Sequence, residues 1–359
     1  MKLDYRYVPG LLNNKHIVLG VTGGIAAYKS VEILRLLDHL GADVQVVLTE
    51  NAKHFVGTWT FEAISKKPVI SDMFAEGIRT TLQHIDLANW ADCVIIAPAT
   101  ANIIGKYSNG IADDFLSTFL MAYDGTVILA PAMNPKMFLH QSVQKNVETL
   151  KSRSNIIVGP DIGQTACGDV GCGRMSEPDV IVDFALVDMG KDGDLSNMKV
   201  LVTAGPTHEA IDPVRYITNR SSGKMGFALA AAAVERGAHV SLITGPVALK
   251  PHSCINVSKV ITAEEMATQV LNSFATYDII IMAAAVGDWR CKVYNSSKIK
   301  KNQEDTWQFT MTKNTDILEL IGKQKKSNQL VCGFAAETDD LIVNASKKLF
   351  SKNLDMIFM

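Results

Sequence analysis

"KHIVLGVTGGIAAYKSVEILRLLDHLGADVQVVLT", Lys15 to Thr49, decides the fold. "KHIVLGVT" is an apolar run of strand length, and Gly23–Gly24 supply a turn. "AAYKSVEILRLLDHLG" repeats apolar residues at helical spacing and stops at a glycine, and "DVQVVLT" is a second buried strand. A helix crossing between two such strands makes them parallel neighbours. Further short apolar runs follow, "ADCVIIAPAT", "GTVILAPAM" and "NIIVGP", as strands covered on both faces should be. Alternating β and α units predict a doubly wound α/β sheet.

The pattern breaks at "DMGKDGDLSN", Asp188 to Asn197, which is polar and reads as a linker. The cycle then restarts with "MKVLVTAG", "KMGFALAAAAVERGA" and "HVSLITG", and continues with "YDIIIMAAAV" and "QLVCGFAAE". Two α/β domains are expected, over residues 1–190 and 198–359, joined by 191–197. The end, "KNLDMIFM", begins a strand and stops, so the second domain is expected to be shortened at its C-terminus.

Bulk composition narrows the classes of function. Of 359 residues, 47% are apolar and 20% charged, with mean hydropathy +0.12, which suits a well-buried globular protein. A net charge of −2 gives no global basic field for nucleic acid or anionic membrane. The first residues lack the apolar core of a signal peptide. Runs such as "GFALAAAAV" are too short to span a bilayer. Six cysteines without an export signal are expected to be reduced thiols in a cytoplasmic protein.

Several loops can carry chemistry. The turn Gly20-x-x-Gly23-Gly24 lets backbone N–H groups approach a phosphate at a helix N-terminus, but is not the G-x-G-x-x-G dinucleotide spacing. Glu50 ends the second strand, where a ribose-binding acid would sit. "APATAN" and "APAMNP" are small, proline-fixed loops at the carboxyl edge of the sheet, with room for a flat ring. Asn102, Ser117 and Asn134 offer hydrogen bonds there, and together these features point to a mononucleotide. His84 precedes the third strand, on a face where packing and catalysis are both open.

"QTACGDVGCGRMSEP", Gln164 to Pro178, sets Cys167 and Cys172 five positions apart among glycines. Structural zinc asks for paired C-x-x-C knuckles and four ligands, so the spacing argues against metal and leaves a thiol on a flexible loop. In the second half, "TAGPTHEAIDPVRYITNRSSGKMG" runs from strand to helix as an anion-binding loop, with Arg215 and Asn219 adding polar reach. Asp288, at the end of a strand, suits Mg²⁺ held by one carboxylate plus substrate phosphates. Lys298, Lys300 and Lys301 beside it read either as a solvated face or as part of that site.

In order and spacing, "GVTGGIAAYK", "HIDLANWAD", "APATAN", "PAMNPKM" and "ACGDVGCGRM" resemble the flavin-dependent half of the bacterial bifunctional coenzyme A enzymes. These join phosphopantothenoylcysteine decarboxylase to phosphopantothenate–cysteine ligase. The second-half loops, with "KNTDIL" and "GFAAET", resemble the ligase half, so the likeness covers almost the whole chain. It implies two Rossmann-like domains, a flavodoxin-like FMN-binding decarboxylase domain followed by an α/β ligase domain.

The resemblance assigns Gly23 and Gly24 to the FMN phosphate, and Thr49, Pro98, Ala99, Thr100, Asn102 and Ser117 to the flavin. It makes His84 the active-site histidine and gives Asn134 the substrate carboxylate. Cys167 becomes the proton donor of a substrate-clamping flap whose glycines are hinges. With FMN as acceptor, the cysteinyl thiol is oxidised towards a thioaldehyde, CO₂ is lost, and the enethiolate recovers the electrons with a proton. Cys172 departs from the pattern, as a spare thiol or a partner that captures Cys167 under oxidation.

In the ligase half, the resemblance implies activation of 4′-phosphopantothenate by CTP as an acyl-cytidylate, then attack by cysteine. Asn219 would stabilise the acyl-cytidylate and Lys298 would serve cysteine transfer. CTP contacts would come from Met282, Ala283, Ala284, Asp288, Lys298, Thr315, Asp316, Ile317, Leu318, Phe334, Lys348 and Lys352. The expected product is 4′-phosphopantetheine. The expected assembly is a homo-oligomer, a dodecamer of decarboxylase trimers paired through ligase dimers, with no nucleic acid or membrane partner. An active flavin half with the second half as an assembly or nucleotide-binding module is the alternative; a nicotinamide oxidoreductase is the third reading.

Overall fold

A computed structural model describes residues 7–73, 83–300, 307–335 and 339–359. Lys301 and the "AET" of "GFAAET" lie outside the described residues. The chain divides into two compact units, residues 1–189 and 190–359.

The first unit is built on five parallel strands: β1 (His16–Val21), β2 (Asp43–Leu48), β3 (Cys93–Ala99), β4 (Val127–Pro131) and β5 (Ile156–Ile157). Their order is β2-β1-β3-β4-β5, the flavodoxin-like arrangement. Every residue of β3 and β4 is buried, which is why both read as unbroken apolar runs. On one face the helix Ala27–His39 presents Ile33, Leu34 and Leu37 to the core. On the other, Ile103 and Ile104 of the helix Ala101–Asn109 pack with Phe119 and Leu120. Each such side chain contributes about 1.5–3 kcal/mol by leaving water.

After β5 the chain makes an antiparallel hairpin, β6 (Asp161–Gln164) and β7 (Val170–Arg174). The sequence had suggested a flexible loop here. The hairpin was hidden because glycines at 163, 168, 171 and 173 erase the alternation of a strand pair. Gly168 takes φ +87° in the turn, where Thr165 N–H donates to the Asp169 carbonyl at 2.9 Å. That is the left-handed region, which glycine enters without a Cβ clash.

The second unit opens with β8 (Lys199–Ala204), β9 (His208–Ala210), β10 (Tyr216–Thr218), β11 (His239–Thr244) and β12 (Asn256–Lys259). It continues with β13 (Ile279–Met282), β14 (Trp289–Cys291), β15 (Met311–Lys313), β16 (Leu330–Phe334) and β17 (Met356–Phe358). Six of these form one parallel sheet in the order β12-β11-β8-β13-β16-β17, that of a dinucleotide-binding Rossmann sheet. The short pairs β9–β10 and β14–β15 stand outside it. Order reverses between β8 and β13, and a crevice at such a switch point is where ligands of open α/β sheets bind.

The two units share a device. Asp92 and Asp278 each precede the strand that pairs on the far side of the opening strand, β3 and β13, and accept the first N–H of that opening strand, from His16 and Lys199, both at 2.8 Å. The segment 191–197 is not a free tether. Asp194 pairs with Arg236, and Leu195 N–H donates to the Arg236 carbonyl at 3.2 Å. Among the described residues no helix is long and apolar enough to cross a membrane.

Candidate functional site

In the first unit the carboxyl edge of the sheet opens into a cavity of about 880 Å³, well within the size range of cofactor sites. The glycine turn and the start of the helix Ala27–His39 form one wall, with no side chain capping that helix. A Cβ on Gly23 would sit 2.4 Å from Asn51 Cβ, so only glycine lets the segment after β2 close over the turn. At Gly24 the nearest atom to an added Cβ is Thr100 Cγ2 at 3.5 Å, which leaves the backbone open to a ligand. Thr22 Oγ1 donates to the Pro98 carbonyl at 2.7 Å and ties this turn to the loop after β3. Uncapped helical N–H groups beside a bare glycine backbone suit a phosphate, and the small apolar loops suit a flat ring. The residues present therefore fit FMN.

The hairpin closes the opposite side. Met133 N–H donates to the Gly173 carbonyl at 3.0 Å, and a Cβ on Gly173 would fall 2.3 Å from the Met133 carbonyl oxygen. A Cβ on Gly171 would meet Pro135 Cβ at 2.9 Å. These two glycines allow strand β7 to lie flat on the Asn134 loop. Cys167, exposed at the hairpin tip, lies 3.0 Å from Asn134 Nδ2 and 3.2 Å from Thr165 Oγ1. Hydrogen bonds from Thr165 and then Asn134 hold its thiol below the usual cysteine range. Asn134 also donates to Asp169 at 2.7 Å while its own oxygen caps Lys136 N–H at 2.9 Å. Cys172 points elsewhere: its thiol donates to the Pro160 carbonyl at 3.2 Å, and both thiols are free.

Seven of the residues expected at the first site line this cavity: Gly23, Gly24, Thr49, Thr100, Asn102, Asn134 and Cys167. The structure does not bring Pro98, Ala99, Ser117 or His84 to its wall. Pro98 and Ala99 are buried in β3, beneath the loop they shape. Ser117 is wholly buried as the partner of Asp114 in a capping box that starts the helix Phe115–Ala122. His84 lies half-buried on the helix Gln83–Trp90.

Other lining residues were not anticipated. Lys29 is 7% exposed and its ammonium sits 3.0 Å from Glu177. A signal existed, since Lys29 falls one turn before Ile33 on the apolar face of its helix. Lys106 sits 2.6 Å from Asp113 and 2.7 Å from Asp114. Burial opposes its charge, but the two carboxylates hold its pKa above the ordinary lysine value.

In the second unit a cavity of about 690 Å³ opens at the carboxyl ends of β13 and β16. It is lined by ten expected residues: Met282, Ala284, Asp288, Thr315, Asp316, Ile317, Leu318, Phe334, Lys348 and Lys352. Asp316 caps the helix Ile317–Gln324 through Glu319 N–H at 3.0 Å and accepts Lys352 Nζ at 2.6 Å. Burial would raise the Asp316 pKa, but Lys352 and the Glu319 N–H bring it below the usual carboxylate range. Lys348 Nζ donates to the Phe334 carbonyl at 2.8 Å. Two cations above a helix N-terminus suit the phosphates of a nucleotide. Lys313, Asn314, Trp289 and Glu319 also line the cavity and were missed. Glu319 sits in the first turn of the helix Ile317–Gln324, and the other three come from the small β14–β15 pair and the turn after it, whose strands are too short to show alternation.

Ala283 and Lys298 do not line this cavity. Lys298 is exposed on the segment after β14. Asn219 is tied to the loop after β13 that borders the cavity, with Nδ2 donating to the Ala285 and Val286 carbonyls, both at 3.2 Å. Asp288 is exposed at the rim. Among the described residues no three His, Cys, Asp or Glu side chains gather as a metal site. A divalent ion at Asp288 would depend on ligand phosphates for the rest of its shell, which suits Mg²⁺.

Comparison with known proteins follows the same division. A flavoprotein family model matches residues 6–189, and the model for the DNA/pantothenate metabolism flavoprotein C-terminal domain matches residues 195–359. The coenzyme A biosynthesis bifunctional protein CoaBC of Escherichia coli (strain K12) is 45% identical over 348 residues, covering 96% of this chain and 86% of that protein. The CoaBC protein of Haemophilus influenzae is 47% identical over 347 residues, with the same coverages, 96% and 86%. The solved FMN-dependent cysteine decarboxylase SpaF is 28% identical, covers 44% of this chain and 89% of its own, and superposes with a TM-score of 0.40.

Proposed function

The chain belongs to the family of coenzyme A biosynthesis bifunctional proteins, and from that membership we propose how its own residues divide the two reactions. It is a bifunctional enzyme, a phosphopantothenoylcysteine decarboxylase that uses FMN joined to a phosphopantothenate–cysteine ligase. The reading with only the flavin half active is not favoured, because the relatives match both halves at once under one bifunctional name. A flavoprotein match over the first unit likewise leaves the nicotinamide reading without support.

The observation that carries the decarboxylase assignment is the meeting of Asn134 and Cys167 at 3.0 Å over the glycine-turn cavity. Gly23 and Gly24 would receive the FMN phosphate, with Thr49, Thr100 and Asn102 around the ring. Pro98, Ala99 and Ser117 act beneath that wall by shaping it. FMN supplies reversible two-electron oxidation of the substrate's cysteinyl sulfur. Asn134 Nδ2, now shared between Cys167 and Asp169, turns to the substrate carboxylate and orients it for loss as CO₂. Cys167 then gives its proton to the enethiolate carbon, and a thiol already below its usual pKa gives it up readily. His84 would join the active site across a subunit contact, in the trimers that pair into a dodecamer.

In the second unit, CTP would occupy the cavity between Asp288, Asp316, Phe334, Lys348 and Lys352, with Mg²⁺ at Asp288. Asn219 would hold the acyl-cytidylate and Lys298 would serve the attack by cysteine. Positive charge there stabilises negative charge building on phosphate oxygens. The enzyme would work in the cytoplasm, on small molecules alone.

The test is mass spectrometry of products after incubating the FMN-loaded chain with 4′-phosphopantothenate, cysteine, CTP and Mg²⁺. The expected product is 4′-phosphopantetheine. Accumulation of phosphopantothenoylcysteine would remove the decarboxylase reading, and absence of both products, with no conversion of added phosphopantothenoylcysteine, would remove the whole assignment.

A further inference from the structure

The turn after β9 holds a carboxylate with an unusual set of partners. Asp212 has a side chain with 0% exposure, yet it is charged, since hydrogen bonds from Arg215 first of all drive its pKa far below the usual carboxylate range. Its two oxygens divide the work. Oδ1 accepts Val214 N–H and Arg215 N–H, both at 2.9 Å, and so closes the turn it belongs to. Oδ2 accepts the Arg215 side chain, with Nε at 3.0 Å, and reaches 87 positions along the chain to Ile299 N–H at 3.2 Å. Arg215 completes the grip by donating to the Ile299 carbonyl at 2.9 Å. Both backbone groups of Ile299 are thus held by one ion pair, its carboxylate buried and its guanidinium partly exposed, and Asn295 N–H adds a tie to the Ile211 carbonyl at 3.2 Å. Trp307 lies against the guanidinium, 4.5 Å from ring centre to Cζ.

The residues on either side of this clamp are the two proposed for ligase chemistry. Lys298 immediately precedes Ile299 on a segment that is otherwise exposed, and Asn219 follows strand β10, which starts directly after Arg215. An exposed lysine on an extended segment has many available positions, and fixing the peptide next to it removes most of them. We infer that Asp212 is a positioning residue for the ligase reaction: through Ile299 it sets where Lys298 stands relative to Asn219. It touches no substrate itself. The inference rests on the assignment of Lys298 to cysteine transfer.

The experiment follows from the division between the two oxygens. Asp212→Asn keeps one carbonyl oxygen to close the turn, but turns the other atom into a donor facing the Ile299 and Arg215 donors. Ile299→Pro removes the N–H from the other side of the same contact and leaves Asp212 intact. Each variant, FMN-loaded and full length, is given 4′-phosphopantothenate, CTP and Mg²⁺ with cysteine, and pyrophosphate release and amide formation are followed separately. Lys298→Gln is run alongside.

In both variants amide formation is expected to fall roughly 10- to 100-fold while release of the first pyrophosphate, one per active site, keeps its wild-type rate and acyl-cytidylate accumulates, as a displaced catalytic side chain requires. Decarboxylation of added phosphopantothenoylcysteine should be unchanged. Wild-type coupling in both variants, with Lys298→Gln uncoupled, overturns the positioning role and leaves the lysine assignment standing. Wild-type coupling in Lys298→Gln overturns that assignment and the inference with it. Parallel loss of pyrophosphate release and amide formation in both variants would make the pair structural, and also overturns it.

Discussion

Replacing Gly173 by alanine tests whether the hairpin must lie against the Asn134 loop for decarboxylation. The added Cβ would stand 2.3 Å from the Met133 carbonyl oxygen, 3.1 Å from Pro135 N and 3.3 Å from Asn134 C, all main-chain atoms that no rotamer change can move. Ordinary contact demands a retreat of about 1 Å. Overpacking of this kind costs roughly 1–3 kcal/mol. The Met133–Gly173 hydrogen bond, 3.0 Å long, would go with it, at about 1 kcal/mol. A loss near 3 kcal/mol lowers the unfolding temperature of a unit this size by roughly 6–12 °C. The same retreat carries Cys167 away from Asn134, and a misplacement of about 1 Å is worth roughly 100-fold in rate. Thermal unfolding followed by flavin absorbance gives the first quantity, and single-turnover decarboxylation of phosphopantothenoylcysteine gives the second. Ligation, measured on the same sample, should be unaffected. A Gly173→Ala protein with wild-type melting and wild-type decarboxylation would refute the reasoning.

Three further outcomes are expected. Thr165→Val removes a hydrogen bond from the Cys167 sulfur, so the pH midpoint of its alkylation by iodoacetamide should move upward; an unmoved midpoint would show the hydroxyl to be irrelevant. Burial would raise the Asp114 pKa, but Lys106 and Ser117 N–H set it below its unfolded value. Its contribution to stability is therefore present above the ordinary carboxylate range, near pH 4, and lost as pH falls through the folded value. Thermal melts should lose that part of their acid-side slope in Asp114→Asn. Lys352→Met breaks the ion pair with Asp316, and steady-state kinetics should show the KM for CTP rising roughly tenfold or more, as loss of a charged hydrogen bond implies, with decarboxylation untouched.

Local signals determined the architecture. Apolar runs as short as Cys93–Ala99, bounded by turn residues, have the length of strands covered on both faces, and the helix between β1 and β2 makes those two parallel, so both sheets were legible from short windows. The glycine turn was legible for the same reason, because a bare backbone at a helix start has few other uses. Tertiary structure alone decided which loops meet. Asn134 and Cys167 are 33 positions apart, and their contact depends on how β7 registers against the Asn134 loop, which no periodicity records. It also separated residues expected to share one ligand: Thr100 reaches the cavity, while Ser117, in the first turn of the helix Phe115–Ala122, is spent on that helix's cap. Asp212 drew no reading from the sequence, because its partner Ile299 lies 87 positions away and meets it only in the fold. Periodicity reports which side of an element is dry, whereas catalysis depends on contacts between elements, and those are fixed only when the whole core packs.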